Sequence, residues 1–142
     1  LICGDGELNE GQCWEAFQYI AHYRLHHCIV IIDENKKQLD GFTRDVMNPF
    51  CIAKKMEAFG FHVQQVKGND EEAISRAIDQ AKCIQDQAVC IVLDSIKGQG
   101  VTYFEALADN HSVKFDNEAI LSATDQAIAD LEEFVERGDV CV

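Results

Sequence analysis

The chain alternates short runs suited to buried strands with longer stretches whose apolar residues recur every three or four positions. Strictly apolar runs bounded by turns predict strands, and a spacing of about 3.6 residues predicts amphipathic helices. The predicted strands are LIC at 1–3, CIVIID at 28–33, FHVQQV at 61–66 and AVCIVLDS at 88–95. Because apolar strands separated by single helices are typical of a parallel sheet covered on both faces, we predict an open α/β fold.

Four helices are predicted from the same periodicity. Their boundaries carry typical cap and stop residues, namely Glu10 at the start of the first, Asn48-Pro49 and Gly60 around the second, Asp70 at the third and Asp116 at the last. Their inward positions are Trp14, Phe17, Ile20, Ala21 and Leu25; Ile52, Ala53, Met56 and Phe59; Ile74, Ala77, Ile78 and Ala81; and Ile120, Ala127, Leu131 and Phe134 or Val135. We therefore expect one domain over residues 1–142.

Composition and charge narrow the function classes. A chain of 142 residues with 47% hydrophobic residues can bury a core. Its net charge of −13 argues against nucleic-acid binding, which depends on clustered Lys and Arg. No stretch approaches the roughly 20 apolar residues of a membrane span, and the given sequence contains no charged segment followed by an apolar run and a small-residue cleavage site. We expect a soluble protein that binds neither nucleic acid nor membrane.

The cysteines give an indication of the cellular compartment. All seven are scattered without Cys-x-x-Cys spacing, and several lie inside apolar runs; they are Cys3, Cys13, Cys28, Cys51, Cys83, Cys90 and Cys141. Unpaired cysteine packs as a small hydrophobic residue. We therefore predict buried free thiols and a reducing, cytoplasmic location.

Polar side chains follow the first two predicted strands at the ends where ligands of open α/β sheets gather. Asp5 follows the first strand and Asn35 follows the second, so the helix between these strands can bring them to neighbouring strand ends. One carboxylate and one amide oxygen suit Mg²⁺, which usually takes few protein ligands. Gly4 and Gly6 allow close backbone approach, and the helix beginning near Glu10 adds a favourable dipole. The sequence therefore predicts a metal-bridged diphosphate site.

Two simpler interpretations stay open at this stage. Gly-Asp-Gly is a common turn, in which Asp5 would only accept hydrogen bonds from nearby amides. A non-catalytic α/β binding or signalling domain would also place acids at strand ends.

Five longer motifs occur in the order and spacing of one enzyme family. They are GDGELNEGQCWEA, DENKKQLDG, TRDVMNPF, FGFHVQQVKGND and DSIKGQGV. Together they resemble transketolase over nearly the whole chain, and most closely the N-terminal subunit of the split bacterial and archaeal type. The 28 residues between Gly6 and Asn35 also match the spacing of the thiamine diphosphate signature.

The resemblance implies a set of cofactor and metal ligands. Asp5 and Asn35 would bind Mg²⁺ together with the backbone carbonyl of Lys37. Gly4 and Gly6 would lie beside the diphosphate, with the amide of Gly6 donating to it. Leu39 would pack on the cofactor rings.

The resemblance also implies two catalytic residues. Glu10 would belong to an acidic network between the two cofactor sites of a dimer, although a first-turn acid is also favoured by the helix dipole alone. His111 would approach the diphosphate and substrate, although Ser112 follows it where transketolases usually have glycine. A loop histidine without catalytic function is the alternative. Lys97 and Gly98 would shape the loop that closes over the cofactor.

The implied reaction is transfer of a two-carbon glycolaldehyde unit from a ketose phosphate to an aldose phosphate, as in the pentose phosphate pathway. A pyrimidine-binding subunit or domain would complete the cofactor site, in a homodimer or a heterotetramer. We expect that the chain lacks the first half of the diphosphate-binding domain and is inactive alone. The alternatives are another thiamine diphosphate enzyme, such as deoxyxylulose phosphate synthase, and the non-catalytic module.

Overall fold

A parallel four-stranded sheet forms the centre of the fold in the computed structural model, which describes residues 1–138. The strands of the chain are β1 (Ile2–Gly4), β2 (Ile29–Glu34), β3 (Lys37–Gln38), β4 (Gly41–Phe42), β5 (His62–Lys67) and β6 (Val89–Asp94). The sheet has the order β1-β2-β6-β5, and all its neighbours are parallel. The four predicted strands are confirmed to within about one residue at their ends, and β3 and β4 form a separate antiparallel pair that the pattern did not predict.

The helices are α1 (Gly11–His22), α2 (Thr43–Val46), α3 (Ile52–Ala58), α4 (Glu71–Cys83), α5 (Thr102–Ala106) and α6 (Glu118–Glu136), with a short 3₁₀ helix at Gly6–Asn9. The cap predicted at Asp70 is confirmed, since its side chain accepts a hydrogen bond from the amide of Ala73. The last helix is instead capped by Asn117, whose Oδ1 accepts from the amide of Ile120, so the prediction of Asp116 was wrong by one residue. Within residues 1–138, no helix is both long and apolar enough to cross a membrane.

The second predicted helix begins later than expected. The backbone of Phe50 has a positive φ of 53°, and Oδ1 of Asn48 accepts a hydrogen bond of 2.7 Å from the amide of Phe50. This local turn delays the helix to Ile52 and overrides the tendency of Pro49 to start it. The predicted stop at Gly60 is correct, because its φ of 95° directs the chain away from the helix axis.

Helices cover both faces of the sheet, as predicted. On one face, α1 and α3 bury Phe17, Ile52 and Met56 against alternate residues of β2 and β6. On the other face, Ala77 and Ala81 of α4 pack against Val89 and Ile91. Strands buried on both faces require apolar side chains at consecutive positions, which explains the uninterrupted apolar runs.

The last helix and one residue after the first are more exposed than predicted. In α6 no side chain is buried, and Leu131 and Val135 are 42% and 72% exposed. Leu25 lies beyond the end of α1 and is also exposed. The periodicity identified an apolar stripe on α6 correctly: Ile120, Ala127 and Phe134 of that stripe are half-buried, whereas Leu131 is exposed.

The cysteine prediction holds in part. The six cysteines of the described region are free. Cys3 and Cys90 are buried, and burial raises the pKa of Cys90 to about 12. Cys51 and Cys83 are exposed, so the prediction of burial was wrong for them, and Cys141 lies outside the described residues.

Candidate functional site

The candidate site lies at the carboxyl ends of β1 and β2. These strands are parallel neighbours, with Gly4 opposite Asp33 in the register. The amide of Asp5 continues this pairing by donating a 3.0 Å hydrogen bond to the carbonyl of Asp33. Asp5 and Asn35 therefore leave the sheet at the same edge.

Asp5 is a buried carboxylate with one unused oxygen. Its residue is 1% exposed, and its Oδ2 accepts a 2.7 Å hydrogen bond from the amide of Lys36. Its Oδ1 is buried and has no hydrogen-bond partner among the residues that the structure describes. Burial raises the pKa of Asp5, and the hydrogen bond from the amide of Lys36 opposes that rise in part. Burying an oxygen atom without a hydrogen-bond partner destabilises the fold, and a cation bound to this oxygen would remove that cost.

The turn at residues 35–37 brings Asn35 to the same place. Oδ1 of Asn35 accepts a 3.1 Å hydrogen bond from the amide of Lys37, while its Nδ2 donates to Oδ2 of Asp33 over 2.9 Å. Consecutive amides of one turn thus bind Asp5 and Asn35. An amide oxygen has two lone pairs, and only one of them is used by the amide of Lys37.

These groups fit a divalent metal that needs few protein ligands. A carboxylate oxygen of Asp5, the amide oxygen of Asn35 and the carbonyl of Lys37 are the hard oxygen donors that Mg²⁺ prefers. Residues 1–138 contain no cluster of three or more His, Cys, Asp or Glu side chains able to hold a metal. A sparse set of oxygen donors is compatible with Mg²⁺, because this ion keeps several water or phosphate ligands.

Gly6 is required by a close contact that the sequence did not reveal. A Cβ atom on Gly6 would lie 2.8 Å from Cβ of Gln38, which is closer than real Cβ contacts allow. Gln38 is held there by the side chain of Asn9, whose Nδ2 donates to Oε1 of Gln38 over 2.8 Å. By contrast, a Cβ on Gly4 would make only an ordinary 3.7 Å contact with Glu7. Because the β3-β4 pair was not predicted, no signal pointed to Gln38.

A cleft of about 410 Å³ opens beside the turn at residues 35–37. It is called the strand-end cleft below, and its lining includes Asn35, Lys36, Lys37, Ser95, Lys97 and Leu107. A larger cavity of about 580 Å³ is lined by α1 residues and Phe59, and by no strand-end residue. The polar and charged side chains of the strand ends therefore line the smaller of the two cavities.

A network of charged side chains joins the ends of three strands. Asp94 pairs with the ammonium groups of both Lys36 and Lys67, and these contacts lower its pKa to about 2. Lys36 also donates to the carbonyl of Ser95 over 3.2 Å, and the hydroxyl of Ser95 donates to Asp33. The sequence pattern gives no signal for this network, because its members are far apart in the chain.

Three other predicted site residues lie on the surface. Leu39 is 67% exposed, and Glu10 and His111 are also exposed. Neither the Glu10 carboxylate nor the His111 ring makes a hydrogen bond to another described residue. The structure therefore gathers Asp5, Gly6, Asn35 and Lys37, and leaves Leu39, Glu10 and His111 facing outward.

Comparison with known proteins gives a consistent family assignment. The model of the family described as transketolase, thiamine diphosphate binding domain, matches residues 1–141. The 6-deoxy-6-sulfo-D-fructose transketolase subunit SqwG of Clostridium sp. (strain MSTE9) is 38% identical over 132 residues, which are 93% of this chain and 46% of that protein. An apulose-4-phosphate transketolase subunit of Actinobacillus succinogenes is 38% identical over 113 residues, or 78% of this chain and 40% of that protein. The chain thus spans less than half the length of these relatives.

Solved structures agree with the family match. The transketolase of Campylobacter jejuni superposes with a TM-score of 0.72 at 30% identity, covering 89% of this chain and 20% of that one. The transketolase of Pichia stipitis in complex with sedoheptulose-7-phosphate superposes with a TM-score of 0.61 at 32% identity, covering 65% of this chain and 14% of that one.

Proposed function

The chain belongs to the transketolase thiamine diphosphate-binding domain family, and from this premise we propose that it holds Mg²⁺ and thiamine diphosphate in a transketolase-type transferase. The observation that carries the proposal is the buried, unpartnered Oδ1 of Asp5 beside the turn that holds Asn35. In the proposed reaction, a two-carbon unit moves from a ketose phosphate to an aldose phosphate. This chain supplies the metal and diphosphate part of the site and is inactive alone.

The proposed metal ligands are Asp5, Asn35 and the carbonyl of Lys37. Mg²⁺ in this role neutralises and orients the diphosphate. The amide of Gly6 would donate to the same diphosphate, and Gly4 would lie beside it. When bound, thiamine diphosphate supplies the carbanion chemistry of the transfer, so the tasks of this chain are binding and orientation.

The burial of Asp5 supports a cation partner. Burial favours the neutral acid, since ionisation without a partner is costly in a low-dielectric site. A bound cation would oppose this effect of burial and favour the carboxylate form of Asp5.

The outward-facing residues are proposed to act on groups outside this chain. Leu39 would pack on the cofactor rings, Glu10 would join an acidic network across a subunit interface, and His111 would approach the diphosphate and substrate. Their exposure leaves each side chain free for such contacts. The partner we propose is a pyrimidine-binding transketolase subunit or domain, in a homodimer or heterotetramer. Two relatives carry the word subunit in their names, which supports a multi-subunit assembly.

The names of the relatives also support a substrate class. One relative is named for 6-deoxy-6-sulfo-D-fructose and another for apulose-4-phosphate, so each name contains a sugar that carries an anionic group. We propose substrates of the same kind, with sugar phosphates of the pentose phosphate pathway as one choice and sulfonated sugars as another. Product analysis of the complete complex distinguishes these, and also distinguishes deoxyxylulose phosphate synthase activity. The free thiols support a reducing, cytoplasmic location.

The test is calorimetric titration of Mg²⁺ and thiamine diphosphate into the full-length protein with its partner subunit. Asp5→Ala and Asn35→Ala are each expected to weaken cofactor binding by more than about 100-fold, because each removes a direct metal ligand. Asp40→Ala is the matched control, since Asp40 is an exposed acid of the same loop region. Unchanged cofactor affinity in both ligand variants would contradict the proposal.

A further inference from the structure

The segment at residues 96–110 is held together mainly by its own hydrogen bonds. Nδ2 of Asn110 donates to the carbonyls of Lys97 and Phe104 over 3.0 and 2.7 Å, and the amide of Gly100 donates to the carboxylate of Glu105 over 2.8 Å. None of its residues is buried, and none belongs to either core cluster. The segment is therefore stabilised by hydrogen bonds among its own residues and lies outside the packed core.

One side chain connects this segment to the strand ends. The ammonium of Lys37 donates a 2.6 Å hydrogen bond to the carbonyl of Leu107, across 70 residues of sequence. Across the described range 1–138, it is the only hydrogen bond between the 96–110 segment and the rest of the chain. Lys37 therefore supplies the hydrogen-bonded attachment of the segment to the strand ends.

The surroundings of Lys37 are unusual for a lysine. The residue is 9% exposed, and its ammonium lies 5.1 Å from the centre of the Phe42 ring. Among the described residues, no carboxylate pairs with it. Burying an ammonium without a counter-ion is costly, and an apolar side chain of similar length would fill the space without that cost. The hydrogen bond to Leu107 and the contact with the Phe42 ring are the specific contacts that a lysine adds here.

The segment that Lys37 attaches also lies beside the candidate site. Lys97 and Leu107 of the segment line the strand-end cleft together with Asn35 and Lys37. Lys97 therefore lies in the same cleft as Asn35.

We propose that Lys37 is a positioning residue whose ammonium holds the 96–110 segment across the strand-end cleft through the Leu107 carbonyl. The link to cofactor binding rests on the proposed function, in which the backbone carbonyl of the same residue binds the metal. One residue then couples metal coordination, through its main chain, to closure of the cleft, through its side chain. The segment carries Lys97 toward the site and leads directly to His111.

The first test measures the segment without any cofactor. Hydrogen exchange of amides 99–110 is compared in the full chain for the wild type, Lys37→Met and Lys37→Arg, with Lys54→Met as the control. Lys54 is an exposed lysine of α3 whose side chain makes no hydrogen bond or ion pair with another described residue. Lys37→Met is expected to speed exchange of the segment about tenfold or more, because it removes a charged hydrogen bond. Lys37→Arg, which keeps a donor, is expected to restore part of the protection, and the control is expected to match the wild type.

The second test measures Mg²⁺ and thiamine diphosphate affinity for the same variants in the assembly with the partner subunit. Lys37→Met is expected to weaken cofactor binding at least about fivefold, a typical coupling between two sites, while Lys54→Met leaves it unchanged. Unchanged exchange in Lys37→Met would overturn the attachment, and faster exchange with unchanged affinity would overturn its role at the site. If the wild type binds no cofactor but Lys37→Met still exchanges faster, the attachment stands and the proposed function fails.

Discussion

The backbone amide of Lys36 donates a 2.7 Å hydrogen bond to Oδ2 of Asp5, and so joins the ends of two neighbouring strands. Lys36 has a positive φ of 68°, a conformation that residues other than glycine seldom adopt. Its side chain is fixed at the same time by Asp94 and the carbonyl of Ser95. The strained turn thus occupies one oxygen of Asp5 and leaves the other free, which is the arrangement a metal ligand needs.

The burial of Asp5 predicts a pH dependence of the cofactor-free fold. Its pKa is raised in the folded chain, mainly by desolvation, so the folded state binds this proton more tightly than the unfolded state does. The contribution of Asp5 to stability is therefore fully present below the unfolded pKa and is lost as pH rises through the folded pKa. Asp5→Asn removes this ionisation. We expect the free energy of unfolding of Asp5→Asn to increase relative to that of the wild type as pH rises from 4 to 7.

Urea denaturation in the presence of a chelator measures this difference at each pH. Asp40→Asn, at an exposed acid of the same region, serves as the control and should track the wild type throughout. A difference between Asp5→Asn and wild type that stays constant over the whole range would show that Asp5 ionises in the fold as it does in the unfolded chain.

A second prediction concerns the space beside Gly6. Gly6→Ala would place a Cβ 2.8 Å from Cβ of Gln38, so the β3-β4 pair must shift to accept it. We expect a loss of about 1–3 kcal/mol in the free energy of unfolding, the usual cost of overpacking. Gly11→Ala is the matched control, because nothing lies within 4 Å of the added Cβ and Gly11 begins α1. It should be neutral or stabilising by up to about 1 kcal/mol. Equal effects of the two substitutions would show that Gly6 is not packed closely against Gln38.

The sequence was sufficient for the sheet because its strands are buried on both faces. Residues such as Val30 and Ile91 make the apolar runs continuous, and the parallel arrangement of β1 and β2 follows from the helix between them. The approach of Asp5 to the turn that holds Asn35 is a consequence of that topology. It could be predicted without knowing any side-chain contact.

The features that could not be predicted depend on contacts between distant parts of the chain. The β3-β4 pair and α5 are too short to give a periodic signal, and Gln38 and Lys37 act through partners 29 and 70 residues away. For α6, the pattern indicates that the helix is amphipathic, but it does not indicate what packs against the apolar side. That is why Leu131 was expected inside and is exposed, while of the two alternatives for the next inward position Phe134 is half-buried and Val135 is exposed.

A last prediction concerns the charge network at Asp94. Lys36 and Lys67 lower the pKa of Asp94 to about 2, so its contribution to stability is present above the unfolded pKa and is lost as pH falls through about 2. The Asp94 side chain is 42% exposed, and solvent therefore screens both ion pairs. We expect Asp94→Asn to lower the free energy of unfolding at pH 7 by only about 0.5–1 kcal/mol.

The matched control is Asp79→Asn, since Asp79 pairs with a single lysine on the surface of α4 and should contribute about 0.3 kcal/mol. Urea denaturation at pH 7, at low and high salt, and at decreasing pH tests the assignment: the effect of Asp94→Asn should shrink in high salt and below about pH 4. An effect that persists at high salt and low pH would mean that Asp94 stabilises the strand ends by packing or neutral hydrogen bonds, and not by its charge.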